Sequence, residues 1–171
     1  MKTKFSSWHV GVSAEAIAAA LFARHGYDVS VQYGANQPEY DLIVSQADKL
    51  LRVSVKGTQE IGWGLCQNYL SNENDTYHAA IDAWLKRHNL RTILCFVSFH
   101  SIQPLEMPRV YIATPAEVAE RLHATRNGGG STTLYENKKW TSRGKGAGSI
   151  DAIPMSWCFN AERIEELFQA A

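Results

Sequence analysis

At 171 residues the chain has room for one domain, or one domain with a modest appendage, around a substantial core. A hydrophobic share of 45% with 20% charged residues is ordinary globular composition and excludes general disorder. Lysine plus arginine and aspartate plus glutamate number 17 each, so the whole molecule offers no pull on nucleic acid or anionic membrane, and any polyanion site must be local.

The stretch SAEAIAAALFARHGY reads as a first helix, with Ser13 as cap, Glu15 in the first turn, an alanine- and leucine-rich interior and Gly26 as the stop. Three strand signals follow at residues 27–34, 40–46 and 50–57. The short ADK between the last two suits a hairpin turn, so an antiparallel meander is expected. Residues 58–75 read as a loop. In TYHAAIDAWLKRHN the apolar rhythm of Ala80, Ile81, Trp84 and Leu85 predicts a second helix.

TILCFVSF, residues 92–99, is continuously apolar and predicts a central strand buried on both faces. Residues 109–115 repeat the strand signal more briefly, and PAEVAERLHA opens a helix with proline in its first turn. Residues 125–149 are glycine-rich, with TTLYENKKW able to form an edge strand. NAERIEELFQAA closes the chain as a helix capped by Asn160. This order predicts an α/β fold, a mixed β-sheet flanked by helices.

Cys66, Cys95 and Cys158 form no CxxC pair and are odd in number, which indicates neither a zinc knuckle nor a disulfide framework. The amino-terminal stretch has no long apolar core, and no run of 18 apolar residues occurs. The expectation is a soluble chain in a reducing, cytoplasmic setting, with no membrane partner.

The strand LLRVSVKG carries the chemistry. Its period of two puts Ser54 and Lys56 on the face opposite Val53 and Val55. Asp41 opens the neighbouring strand, and Glu15 on the first helix is a third member of the same group. Carboxylates beside a lysine suit metal-assisted phosphodiester hydrolysis. Taken singly, each has a plainer reading: Asp41 as a turn residue, Lys56 as a solvated strand end, Glu15 as an acid favoured by the helix dipole.

Glu15, then PEYD at 38–41, then SVK at 54–56 resembles the PD-(D/E)xK nuclease superfamily, restriction-endonuclease-like and Holliday-junction-resolvase-like. The resemblance covers roughly residues 8–100, including the element order of an αβββαβ core. It implies a single nuclease-like domain over residues 1–171, with a core of about 8–123, a basic glycine-rich loop of about 125–149 and a C-terminal helix of about 160–171.

The resemblance further implies a metal-dependent DNA endonuclease using Mg²⁺ or Mn²⁺. Asp41 would be the principal metal ligand, Glu15 and the Val55 main-chain carbonyl further ligands, and Lys56 the catalytic lysine. DNA is the implied partner, and a homodimer is compatible with it. The departure is Ser54, which stands where the family usually has Glu, Asp or Gln, and whose hydroxyl binds a cation more weakly than a carboxylate. Glu15 or Glu60 then supplies the missing charge, or Gln59 an amide. The alternative is a catalytically defective nuclease-fold protein that binds DNA or a partner.

Lys138, Lys139, Arg143 and Lys145 around Trp140 form a local basic patch suited to phosphates and base stacking. The competing reading is a solvated loop whose tryptophan packs back on the core. Glycines 128–130 lack the GK[ST] of a phosphate-binding loop. His9 precedes the first helix, where a phosphate contact or a capping role both fit. The six histidines share no ligand spacing, and His78 is read in the same way. Trp157 and Phe159 read as core.

Overall fold

A helix begins where a side chain can satisfy its first orphan N–H groups. The computed structural model, which describes residues 5–32, 39–72, 75–88, 91–141 and 143–170, starts the first helix, α1 (Ser7–Arg24), at Ser6, whose hydroxyl accepts from the His9 N–H. The helix therefore begins well before Ser13. Glu15 lies in its interior, and no acid occupies the first turn. Gly26, at φ +84°, turns the chain out of it.

In chain order there follow β1 (Asp28–Val31), β2 (Leu42–Gln46), β3 (Lys49–Thr58), β4 (Gly62–Gly64), α2 (Tyr77–Leu85), β5 (Thr92–Ser98) and β6 (Arg109–Ala113). Then come α3 (Pro115–Gly128), β7 (Thr133–Tyr135), β8 (Asn137–Lys139), β9 (Ile150–Ala152) and α4 (Ala161–Ala170). Contacts divide the chain into two compact units, where the sequence reading takes residues 1–171 as one nuclease-like domain. One unit comprises Met1–Glu60, Leu90–Ala113 and Ser156–Ala171; the other comprises Ile61–Asn89 and Thr114–Met155.

The first unit is a mixed five-stranded sheet in the order β1-β2-β3-β5-β6. Strands β1, β2 and β3 form the expected antiparallel meander, with Gln46 opposite Lys49 across a two-residue turn that places Ala47 at positive φ. Strand β5 runs parallel to β3, with Val55 beside Cys95, and β6 returns antiparallel. Every residue of β5 is buried, as its unbroken apolar run requires.

One sheet face carries Leu51, Val53, Val55, Ile93, Cys95 and Val97. It is covered by Ala14, Ala18 and Phe22 of α1 and by Ile164, Leu167 and Phe168 of α4. Asn160 caps α4 by accepting from the Arg163 N–H at 2.8 Å. Phe159 packs at the edge of this core, meeting Phe22 edge to face.

The second unit holds α2, capped by Thr76, and α3, whose Thr114 and Glu117 form a reciprocal capping box. The stretch 58–75, read as loop, contains β4, which pairs with β7. TTLYENKKW divides at Glu136 into β7 and β8, and β8 pairs with β9. Among the described residues no helix is long and apolar enough to cross a membrane.

Candidate functional site

Gly57 explains how α1 meets the end of β3. A Cβ there would lie 2.8 Å from the Ala14 Cβ and 2.9 Å from Val10 Cγ1, so only glycine admits the helix this closely. The neighbours of the touching pair, Glu15 beside Ala14 and Lys56 beside Gly57, are thereby brought within electrostatic reach of each other. Burial raises the Glu15 carboxyl above its ordinary range, the Asp41 charge raises it further, and the Lys56 ammonium pulls it back. Three residues read from sequence thus share one field.

Asp41 sits where the β2–β3 ladder ends. Its N–H donates to the Val53 carbonyl at 2.8 Å, its carbonyl accepts from Gln32, and its Oδ2 accepts from the Val55 N–H at 2.6 Å. The carboxylate therefore extends the ladder by one bond beyond Leu42. A strand residue that exchanges bonds across a ladder sends N–H and C=O to the same side, so the Val55 carbonyl also faces the Asp41 edge.

Ser54 is 3% exposed and lies beside Leu94 of β5. It belongs to the opposite face from the valines, as the period of two predicts, and is covered there. Lys56, two residues on, is exposed. Gln59 does not join the group: its amide is tied to the Phe5 backbone, accepting at 3.1 Å and donating at 2.8 Å. Glu60 lines a cleft of about 840 Å³ with His9, Ser13, Phe99 and His100, a cleft that none of Glu15, Asp41 or Lys56 lines. His9 Nδ1 is 2.7 Å from the Ser6 hydroxyl, which fixes it at the start of α1.

Magnesium keeps several waters and takes only one or two protein carboxylates. Asp41 and Glu15 are the two carboxylates that could hold such an ion, and the charge of Asp41 raising the Glu15 pKa is the electrostatic condition a cation would relieve. Among the described residues there is no group of three or more His, Cys, Asp or Glu side chains placed to hold a metal. Burial pushes the Cys66 thiol up to about 12 and the Cys95 thiol higher still, so neither is a nucleophile at neutral pH.

The basic residues read from sequence lie in the second unit, on β8 and the β8–β9 connection. Lys139, Arg143 and Lys145 are exposed. The Trp140 indole is engaged within the unit: its Nε1 donates to Asp151 Oδ2, and Arg126 and Lys138 stand 5.3 and 5.7 Å from its ring centre.

Sequence reasoning passed over Asp151, the hub of this hairpin. It is buried, pairs with Arg121 at 2.8 Å and accepts from the Arg126 N–H at 2.9 Å. Burial alone would raise its pKa. The Arg126 N–H, the Arg121 guanidinium and the indole N–H outweigh burial and hold it below the ordinary value. A lone Asp in a glycine-rich stretch gives no sequence signal of such a role.

No model of a known protein family matches the chain, and no curated protein matches it.

Proposed function

We propose that the first unit is the catalytic part of a metal-dependent DNA endonuclease of the PD-(D/E)xK type. One observation carries the reading: Asp41 and Lys56, both distant from Glu15 in sequence, act electrostatically on its carboxyl, beside the close contact of α1 with the end of β3. A bound Mg²⁺ supplies Lewis-acid polarisation of a phosphoryl oxygen.

Asp41 and Glu15 bind the cation, with Asp41 held rigid by its bond to the Val55 N–H. Lys56 Nζ, exposed at the strand end, donates to the attacking water or to the phosphate oxygen that gains charge. The Gly57 contact seats Ala14, the neighbour of Glu15, against the end of β3. Lys139, Arg143 and Lys145 offer exposed cations for phosphates in a molecule whose net charge is zero.

The test is cleavage of supercoiled plasmid and of branched DNA with Mg²⁺ or Mn²⁺. We expect Asp41→Ala and Lys56→Ala each to lower the rate by about 100-fold or more, with the fold intact by circular dichroism. A Lys56→Ala protein that cuts as fast as the parent would remove the mechanism.

The burial of Ser54 favours a second reading, a nuclease-fold protein without turnover that binds DNA or a partner, because a covered hydroxyl replaces the family's acid. Mn²⁺ binding that depends on Asp41 supports the enzyme. A folded parent that binds DNA, binds no Mn²⁺ and cuts nothing supports the binding module.

A further inference from the structure

The second unit contains a cluster that the nuclease reading does not use: His78 and Asp82 on α2, and His123 on α3. His78 Nδ1 and His123 Nδ1 are 2.6 Å apart. The ring planes agree within 7° while the ring centres are 4.9 Å apart. Nitrogens so close in nearly parallel rings so far apart mean that the imidazoles meet edge to edge, nitrogen to nitrogen.

The outer nitrogens fix the protons. His78 Nε2 lies 3.2 Å from the Gly128 carbonyl, and His123 Nε2 lies 3.0 Å from Asp82 Oδ1. A carbonyl oxygen and a carboxylate oxygen can only accept, so each Nε2 carries a proton and donates. Each neutral ring then keeps its lone pair on Nδ1, and the two lone pairs face one another. That arrangement is repulsive until a cation stands between them.

We propose that this cation is a divalent transition metal, zinc or an ion of similar chemistry, and that His78 and His123 form a two-histidine site for it. Neutral imidazole is the ligand such ions favour. Metal-bound histidines almost always donate the second ring N–H to a carboxylate or a backbone carbonyl, and here one ring has each partner. Tetrahedral coordination at a Zn–N bond of about 2.0–2.1 Å requires the two Nδ1 atoms to part by roughly half to one ångström and the rings to turn, so that their opposed lone pairs converge on the ion.

The cluster has access to solvent, since the His123 side chain is 31% exposed and that of Asp82 59%. Gly130 packs against the His78 ring, where an added Cβ would stand 3.4 Å from Cε1 and Nε2, and this seats the imidazole. Two protein ligands leave the remaining positions to water or to an exogenous ligand. The inference stands on the second unit alone and is independent of the nuclease reading.

The test uses the full chain with ¹⁵N-labelled histidine, stripped of metal and titrated with zinc chloride in excess Mg²⁺, which prefers oxygen ligands. We expect one equivalent of zinc to shift the Nδ1 resonances of His78 and His123 and of no other histidine. Asp82→Asn should weaken zinc binding by about 10–100-fold while the protein stays folded. A parent whose His78 and His123 Nδ1 resonances ignore zinc would overturn the proposal and leave a shared proton as the cation. Zinc affinity unchanged in folded His78→Ala and His123→Ala proteins would overturn it as well.

Discussion

Glu15 is a carboxylate in a helix interior, partly withdrawn from water and facing both a second acid and a lysine. Burial first, and the Asp41 charge second, raise its pKa against the opposing pull of Lys56. A carboxyl whose folded pKa exceeds its unfolded value binds more protons in the folded state, so its ionisation costs stability. That cost is absent below the ordinary value of 4.5 and sets in as the pH climbs through the folded pKa. We therefore expect Glu15→Gln to unfold at higher urea than the parent at neutral pH, and the two midpoints to converge near about pH 4. A variant less stable than the parent at neutral pH would show that the charged carboxylate is favourably held without metal. Added Mg²⁺ should raise the midpoint of the parent and not that of Glu15→Gln, because the cation binds the folded carboxylates alone.

Helix α1 and strand β3 are locked by a glycine facing an alanine, and the lock sets where Glu15 stands. A methyl group at residue 57 would meet Ala14 Cβ at 2.8 Å and the Val10 carbonyl oxygen at 3.0 Å, distances that force the helix outward. We expect Gly57→Ala to cost about 1–3 kcal/mol in urea unfolding and to lower cleavage along with stability. Ala14→Gly combined with Gly57→Ala should cost less than the two single changes added together, since Ala14→Gly removes the shortest of the three close contacts; additive costs would mean that α1 does not press on Gly57. The long elements were legible in sequence because local signals suffice for them: the apolar run of β5, the alternation and tight turn of β2 and β3, Pro115 at the start of α3 and Asn160 before α4. The beginning of α1 was misplaced because Ser6 and Ser13 are both good caps and the intervening residues tolerate helix. Strands β4, β7, β8 and β9 have three residues each, too few for a period to register, and β4 exists only through its pairing with β7 much later in the chain. Asp41, Ser54 and Lys56 could be grouped because a hairpin joins their strands. The Gly57 contact and the facing of His78 with His123, 45 residues apart, come from tertiary packing that no local pattern encodes.

Across the whole molecule, two acids respond to proton concentration in opposite senses, one in each unit. In the first unit the raised pKa of Glu15 means that acidification relieves a cost. In the second, Asp151 is held below its ordinary value of 3.8, so its ionised form stabilises the fold above that pH. That contribution is lost as the pH falls through the folded pKa, because a protonated carboxyl no longer neutralises Arg121 or accepts fully from Trp140 and the Arg126 N–H. As the pH falls below the ordinary value of 3.8 and through the folded pKa, the β8–β9 hairpin should therefore weaken while the site around Glu15 does not. Hydrogen exchange, corrected for the intrinsic rate at each pH, should show the Trp140 and Ile153 amides losing protection before the amides of β5. Asp151→Ala should reproduce the acid pattern at neutral pH, at a cost of about 3 kcal/mol, the low end for a broken buried pair because Arg121 keeps 18% exposure. Loss of protection in β5 first, or a variant as stable as the parent, would remove Asp151 as the acid-sensitive hub of the hairpin.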